Sequence, residues 1–382
     1  MGGLRPVPGA PREGTVCHNM NEAAIGMTLN GSSGGRQAAA GSSALEFARS
    51  IIGRVSRTFA IGITILPGDL GKAVLTGYLL CRIADTIEDD GTSTAARRQE
   101  LLAKFIACFE RPELAAHFGE EATDINVADP NYRELLEGTK LVFDVLHSLP
   151  PESARIVARW TCELSGGMSE FVGRYPNGIR IQTLEEYRRY CYYVAGTVGH
   201  MLTELFFFHS RHIKERDYQR LLLNCEAFGE GLQTINILKD IAWDIEHENA
   251  AYIPEELLRD RGSSHQMILH GDRIAQNREA LVTLVELAKG DIKKALDYVN
   301  ALPKVAVQVR LFCLLPILFA VATLREIERS TAMLQSGGAV KITRSEVRSL
   351  IVAGVVSTVS NSTTRWVVGR TARDRFNKLG PA

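Results

Sequence analysis

Gly77-Tyr78-Leu79-Leu80-Cys81-Arg82-Ile83-Ala84-Asp85-Thr86-Ile87-Glu88-Asp89-Asp90 begins apolar and ends in a burst of carboxylates. On a helix, residues three and four apart share a face. Asp85, Glu88 and Asp89 then line up within one turn, with Arg82 one turn before them. Carboxylates crowded on one face repel each other and resist burial unless positive charge sits among them. Oxygen-only ligands at this spacing suit Mg2+, which takes one or two carboxylates and completes its shell with water and phosphate. The alternative for this stretch alone is a solvated helix end.

A second stretch, Gln233-Thr234-Ile235-Asn236-Ile237-Leu238-Lys239-Asp240-Ile241-Ala242-Trp243-Asp244, adds to the first. Gln233, Asn236, Asp240 and Asp244 follow helical offsets and draw a polar stripe along an apolar helix. Two acidic helix faces can clamp a diphosphate through Mg2+ ions.

Outward from these stretches the chain reads as helix throughout. Its 382 residues suffice for a large core. Periodic segments run over 44–56, 70–89, 97–109, 132–147, 152–175, 185–209, 217–244, 276–300, 305–329 and 350–359. The segment 113–131 reads as a connection, and Pro67-Gly68-Asp69 as a break. Gly166-Gly167 inside a helix implies close packing or ligand approach, since each glycine costs about 1 kcal/mol there against alanine. No alternating strand pattern appears, so the fold class is all-α. The uncharged run 311–324 falls short of the ~20 residues that span a bilayer and contains Pro316, which reads as a buried helix. Residues 1–43 are rich in Gly, Ser, Pro and Ala and read as a disordered tail without the marks of a signal or transit peptide. The expected organisation is one domain over 44–360 between that tail and a C-terminal tail, 361–382.

Lys plus Arg equals Asp plus Glu, 44 each, so no global field draws the chain to nucleic acid. The cysteines Cys17, Cys81, Cys108, Cys162, Cys191, Cys225 and Cys313 show no paired spacing, which reads as reduced thiols in a cytoplasmic protein.

With the two acidic stretches in place, the chain resembles the squalene/phytoene synthase family. The blocks that carry the resemblance stand in order. Ser56-Arg57-Thr58-Phe59 is similar to the family's Ser-Arg-Ser-Phe. Asp85-Thr86-Ile87-Glu88-Asp89 is its first acidic motif. Tyr190-Cys191-Tyr192-Tyr193-Val194-Ala195-Gly196-Thr197-Val198-Gly199 matches its Tyr-Cys-x-x-Val-Ala-Gly-x-Val-Gly block. Asn236-Ile237-Leu238-Lys239-Asp240 opens its second acidic motif. Phe312-Cys313-Leu314-Leu315-Pro316 with Ala322-Thr323-Leu324, then Ala339-Val340-Lys341-Ile342, resembles the squalene-synthase branch. Two departures stand out. Trp243 replaces a Glu of the second motif, and Glu248-Asn249-Ala250-Ala251 occupies a loop where the family carries an Arg.

The resemblance implies a single-domain isoprenoid-synthase helical bundle around a central prenyl channel. It implies Mg2+-dependent head-to-head condensation of two farnesyl diphosphates to presqualene diphosphate, then NADPH-dependent reduction to squalene. An enzyme that stops at presqualene diphosphate, or makes phytoene or dehydrosqualene without reduction, is the nearest alternative. A non-catalytic prenyl-diphosphate-binding subunit is the alternative of another class. By the same resemblance Asp85, Glu88, Asp89, Asp240 and Asp244 hold Mg2+ against the diphosphates. Ser56, Arg57, Arg82, Gln233, Asn236 and Lys239 bind substrate phosphate, and Phe59, Val194, Val198 and Gly199 line the prenyl channel. Tyr190 transfers the proton.

Each assignment has a plainer counterpart. Arg82 can simply pair with Asp85, and Ser56 can cap a helix. Tyr190, Val194, Val198 and Gly199 can be ordinary core. No strand and Gly-rich turn announces a nicotinamide site. The resemblance to the squalene branch implies that NADPH binds at the helical surface near Tyr78, Asn236, Lys341 and Arg344, of which the last two can equally be solvated cations. An apolar product implies loose, peripheral membrane contact and transfer to downstream isoprenoid enzymes.

Overall fold

A computed structural model describes residues 34–56 and 59–376. The first half runs α1 (Gly34–Val55), α2 (Phe59–Ile65), α3 (Gly68–Glu88), α4 (Ala95–Glu110), α5 (Ala115–Glu121), α6 (Pro130–Glu137), α7 (Thr139–Ser148) and α8 (Pro151–Arg174). Then come α9 (Leu184–Cys191), a π-helical turn (Tyr192–Gly196), α10 (Thr197–His209), α11 (Glu215–Leu222) and α12 (Cys225–His247). The chain closes with α13 (Glu255–Arg259), α14 (Ile274–Ala301), α15 (Val307–Arg329), α16 (Arg344–Ser357) and α17 (Asn361–Arg373). Among the described residues there is no strand, only one isolated bridge between Arg180 and Ala251. The all-α, single-domain expectation holds.

One core runs through all layers, from Ala48 and Ile51 on α1 to Val367 on α17. Helices α3, α8, α10, α12 and α14 form its centre. α3 packs on α8, and α12 packs on α14 and on the π turn. The helix ends show why these segments start where they do. Thr94, Thr183, Thr343 and Ser360 accept from the backbone N–H of Arg97, Glu186, Glu346 and Thr363. The expected helix over 185–209 is one rod with a widened turn at its middle. Its backbone there meets α12 without clearance. A Cβ on Gly199 would stand 1.9 Å from the Cys225 carbonyl oxygen, so this position is fixed by helix–helix approach. Gly167 is likewise the seat of the Tyr193 ring, 2.0 Å from where its Cβ would be. Of the two readings of Gly166-Gly167, close packing is realised at Gly167, whereas a Cβ on Gly166 would meet open space.

Several expected boundaries change. The helix over 132–147 is two, broken at Gly138, where the Phe47 ring lies 2.2 Å from the place of a Cβ. The helix over 217–244 is also two, broken at Asn224. The connection 113–131 contains α5. α1 begins at Gly34 rather than at residue 44, and the rest of the expected N-terminal tail lies outside the described residues. Residues 361–373 of the expected C-terminal tail form α17, packed on α15 and α16, and residues 377–382 lie outside the described residues.

The cause of that last change sits in the apolar helix α15. Arg310 is 0% exposed and donates to the carbonyls of Val299, Leu302 and Thr358 and to Asn361 Oδ1, at 2.7–2.8 Å. Arg325, 2% exposed, donates to the carbonyls of Thr371 and Asp374 and pairs with Glu346 at 2.9 Å. A buried guanidinium must have its donors met. The C-terminal carbonyls of α14, α16 and α17 meet them, and α17 is stapled to the core. α15 is long and apolar enough to cross a membrane by length and composition, yet 83% of its apolar window is buried in the bundle.

Candidate active site

The first acidic face ends α3. Asp85 and Asp89 lie half-buried, one turn apart. Arg82 Nη1 stands 3.3 Å from Asp85 Oδ2, so the pair anticipated from the sequence forms. The guanidinium is also flanked by the rings of Tyr78 and Tyr132, at 5.9 and 5.5 Å. Phe59 meets Tyr78 at 5.8 Å, which connects the Ser56–Phe59 block to this face. Ser56 itself accepts from the Phe59 N–H at 3.1 Å, the local capping role. Arg57 lies outside the described residues.

Glu88 is the most enclosed of the three. It is 4% exposed and turns inward, where its carboxyl meets Tyr190. Arg98 of α4 donates to the Glu88 carbonyl at 2.7 Å. Asp90 closes the turn by accepting from Thr92 N–H and Oγ1, at 2.9 and 2.7 Å.

The second face lies on α12. Asn236 is exposed, Gln233, Lys239 and Asp240 are half-buried, and Asp244 is buried. Lys239 pairs with its neighbour Asp240. The loop after α12 brings Glu248 and Tyr252 between the two faces. Burial pushes the Asp244 carboxyl up to about 9, with Glu248 and Asp240 adding repulsion. Burial pushes Glu88 up to about 8, with Asp85 and Glu248 adding to it. Asp85, Asp89 and Glu248 are raised too, burial being the largest cause in each.

Tyr190 is buried beside Glu88 and Tyr252, two residues of the cleft. Its ring stacks on Tyr252 at 4.9 Å and meets Phe171 edge-on at 5.1 Å. Burial and the Glu88 charge hold its hydroxyl well above the ordinary phenol range, so it stays a neutral O–H donor. Val194 and Val198 are partly exposed apolar residues packed on the core, whereas Gly199 is buried against Cys225. Glu88, Asp89, Arg98, Glu248 and Tyr252 line a cavity of about 270 Å³. Lys341 and Arg344 are exposed and have no ion-pair partner among the described residues. Their segment is tied to α12 where Ser336 Oγ and Gly337 N–H donate to Glu246.

The sequence reading missed Glu248 as a cleft residue, and it missed Tyr252, Arg98 and Tyr132 altogether. All but Glu248 are single residues from other elements, with no spacing to mark them. Glu248 was visible only as an acid where a base was expected.

The family profile for squalene/phytoene synthase matches residues 52–346. The chain belongs to the squalene/phytoene synthase family. The squalene synthase of Schizosaccharomyces pombe is 27% identical over 309 residues, 80% of this chain and 64% of that protein. The squalene synthase of Yarrowia lipolytica is 28% identical over 333 residues, 85% of this chain and 69% of that one. This chain thus spans about two thirds of the length of these family members. Among solved structures, the complex of TcSQS with ligand BPH1237 superposes with a TM-score of 0.74 at 24% identity, over 88% of this chain and 94% of that one. A dehydrosqualene synthase gives 0.55 at 18%, over 87% and 96%. At such identities these two likenesses speak for the family fold alone.

The donor set of the cleft fits Mg2+. It is all oxygen, and the buried Glu88 Oε1 has no hydrogen-bond partner. Six carboxyls, those of Asp85, Glu88, Asp89, Asp240, Asp244 and Glu248, face the three cations Arg82, Arg98 and Lys239. Among the described residues no three His, Cys, Asp or Glu side chains form a ready metal cage. An Mg2+ ion shared with a diphosphate requires none.

Proposed function

We propose that this chain is a prenyltransferase that joins two farnesyl diphosphates head to head into presqualene diphosphate and reduces that to squalene. The observation that carries the reading is the convergence of two acidic helix ends, from α3 and α12, beside a buried, neutral tyrosine. Mg2+ held by Asp85, Asp89, Asp240 and Asp244, with Glu88 behind them, would neutralise the leaving diphosphate so that the carbon–oxygen bond ionises. Arg82 and Lys239 add positive charge at the same place, and Gln233 and Asn236 add hydrogen bonds. Phe59, Val194 and Val198 present apolar surface to the prenyl chains. The Phe59 face also steadies developing positive charge.

Tyr190 holds a proton at its hydroxyl beside Glu88. When the second chain's double bond attacks, the proton lost on cyclopropane closure passes through this hydroxyl to the released diphosphate. NADPH, when bound, supplies the hydride that quenches the final cation. Lys341 and Arg344 would hold its phosphates, beside Tyr78 and Asn236.

An apolar product suits peripheral contact of a cytoplasmic protein with membranes. α16 and α17 together expose Val352, Val355, Val356 and Trp366, a surface suited to that contact. Co-sedimentation with vesicles, weakened by Val355→Asp with Val356→Asp, checks it.

The reading is tested by incubating the chain with Mg2+ and farnesyl diphosphate, with and without NADPH. Squalene is expected with NADPH and presqualene diphosphate without it. Lys341→Ala with Arg344→Ala is expected to shift product from squalene to presqualene diphosphate at limiting NADPH. Phytoene-type or unreduced product at saturating NADPH would favour the non-reducing alternative.

A further inference from the structure

The two departures from the family pattern, Trp243 and the loop that begins at Glu248, are joined in space. The Trp243 side chain, 55% exposed and stacked on His247 at 3.8 Å, lies by the Glu248 carboxyl and favours its charged form. Asn249 follows with φ 51°, in the left-handed region. Arg180 holds it there. Its Nη1 donates to the Asn249 carbonyl and its Nη2 to Asn249 Oδ1, both at 2.6 Å. Asn249 Nδ2 donates in turn to the Asn177 carbonyl at 2.9 Å. Set between the two, Glu248 aims its carboxyl into the cleft. Asp240 is the acid that acts on it most strongly, and Asp85 follows. Glu88, Asp89 and Asp244 each feel its charge in turn.

A carboxylate fixed among five others is unfavourable unless cations sit between them. A separate observation points to such a ligand. The cavity that Glu248 lines is also lined by Glu88, which is 4% exposed and whose Oε1 has no hydrogen-bond partner. Buried carboxylate oxygens are nearly always met. The Arg98 Nε in the same wall is unmet as well. This wall is therefore built for charged contents.

We propose that Glu248 is a divalent-cation ligand of the cleft, lining with Glu88 and Asp89 the cavity that would take an Mg2+ ion shared with the diphosphate. The inference rests on the Mg2+–diphosphate reading of the cleft. A cation side chain in this loop would touch phosphate directly, but a carboxylate reaches it only through a metal. The binding of diphosphate in this chain then depends on metal to a degree set by Glu248.

The test is a titration of the full chain with Mn2+, followed by electron paramagnetic resonance of the free ion, in the presence of inorganic pyrophosphate. Wild type, Glu248→Gln, Glu248→Asp and Asp240→Asn are compared, with circular dichroism to confirm that each is folded. Gln keeps the size but removes the charge. Glu248→Gln is expected to weaken Mn2+ binding by roughly tenfold or more, as loss of a metal-site group does, or to remove one ion from the stoichiometry. Glu248→Asp is expected to keep most of the affinity. Should Glu248→Gln not fold, Glu248→Ala takes its place with the same expectation. Mn2+ binding by folded Glu248→Gln equal to wild type, with Asp240→Asn impaired, would overturn the role of Glu248 and leave the reading of the cleft standing. Failure of wild type to bind Mn2+ with pyrophosphate would overturn both.

Discussion

Tyr190 stands out in the sequence because a whole block of residues surrounds it, not because a buried tyrosine is unusual. Its surroundings were not legible. Tyr252 comes from a loop and Phe171 from α8, and together they fix the ring while Glu88 fixes the hydroxyl. Tyr190→Phe keeps both ring contacts and removes only the O–H. Turnover is expected to fall by about 10²–10⁴, the usual range for a lost proton-transfer group, with the thermal midpoint nearly unchanged. Single-turnover product formation checks this, and wild-type rates in that variant would take Tyr190 out of proton transfer. Ser56 and Gly199 teach the opposite lesson. Both belong to family blocks, and the structure gives each a local duty, a cap for Phe59 and a contact with Cys225. Arg82 shows both sides at once, since its pair with Asp85 leaves its guanidinium between two tyrosine rings at the mouth of the acidic face.

The acidic helix ends of α3 and α12 carry a prediction of their own. In the unfolded chain their carboxyls titrate near 4. In the folded chain Glu88 is pushed up to about 8 and Asp244 to about 9. Between those values the folded state binds more protons, so these groups favour folding at acid pH and lose that effect as pH rises through their folded values. The thermal midpoint of the metal-free protein is therefore expected to fall from about pH 5 to pH 9. Asp244→Asn should flatten the fall and raise the midpoint at the alkaline end by about 2–4 °C or more. Mg2+ with pyrophosphate should stabilise wild type more at alkaline than at acid pH. A midpoint that rises across this window, or an Asn variant with an unchanged slope, would contradict the burial of these charges. The elements themselves were well read where the apolar period was long, as in α8, α14 and α15. They were misread where a single contact decides a break, as at Gly138 beneath Phe47, or where a distant partner decides a helix. The C-terminal helix α17 is of the second kind, since the donors that hold it belong to Arg325 and Arg310 on α15.

At the scale of the molecule, the all-α class was legible from periodicity alone, because helix after helix repeats the same spacing with no alternating segment between them. The closure of the bundle was not. It depends on two buried arginines inside an otherwise apolar helix, and nothing in a linear pattern says which carbonyls will meet them. The cleft likewise gathers α3, α4, the rod from α9 to α10, and α12 with the loop behind it, four separated parts of the chain. Its central claim is that the acidic ends of α3 and α12 act together on a prenyl diphosphate through Mg2+. The most direct measurement is release of inorganic diphosphate from farnesyl diphosphate, followed with Mg2+ and with chelator, for wild type, Asp85→Asn and Asp240→Asn. The account predicts Mg2+-dependent release by wild type, none with chelator, and a loss of about 10²-fold or more in each folded variant. Release that persists with chelator, or at wild-type rate in either variant, would contradict it.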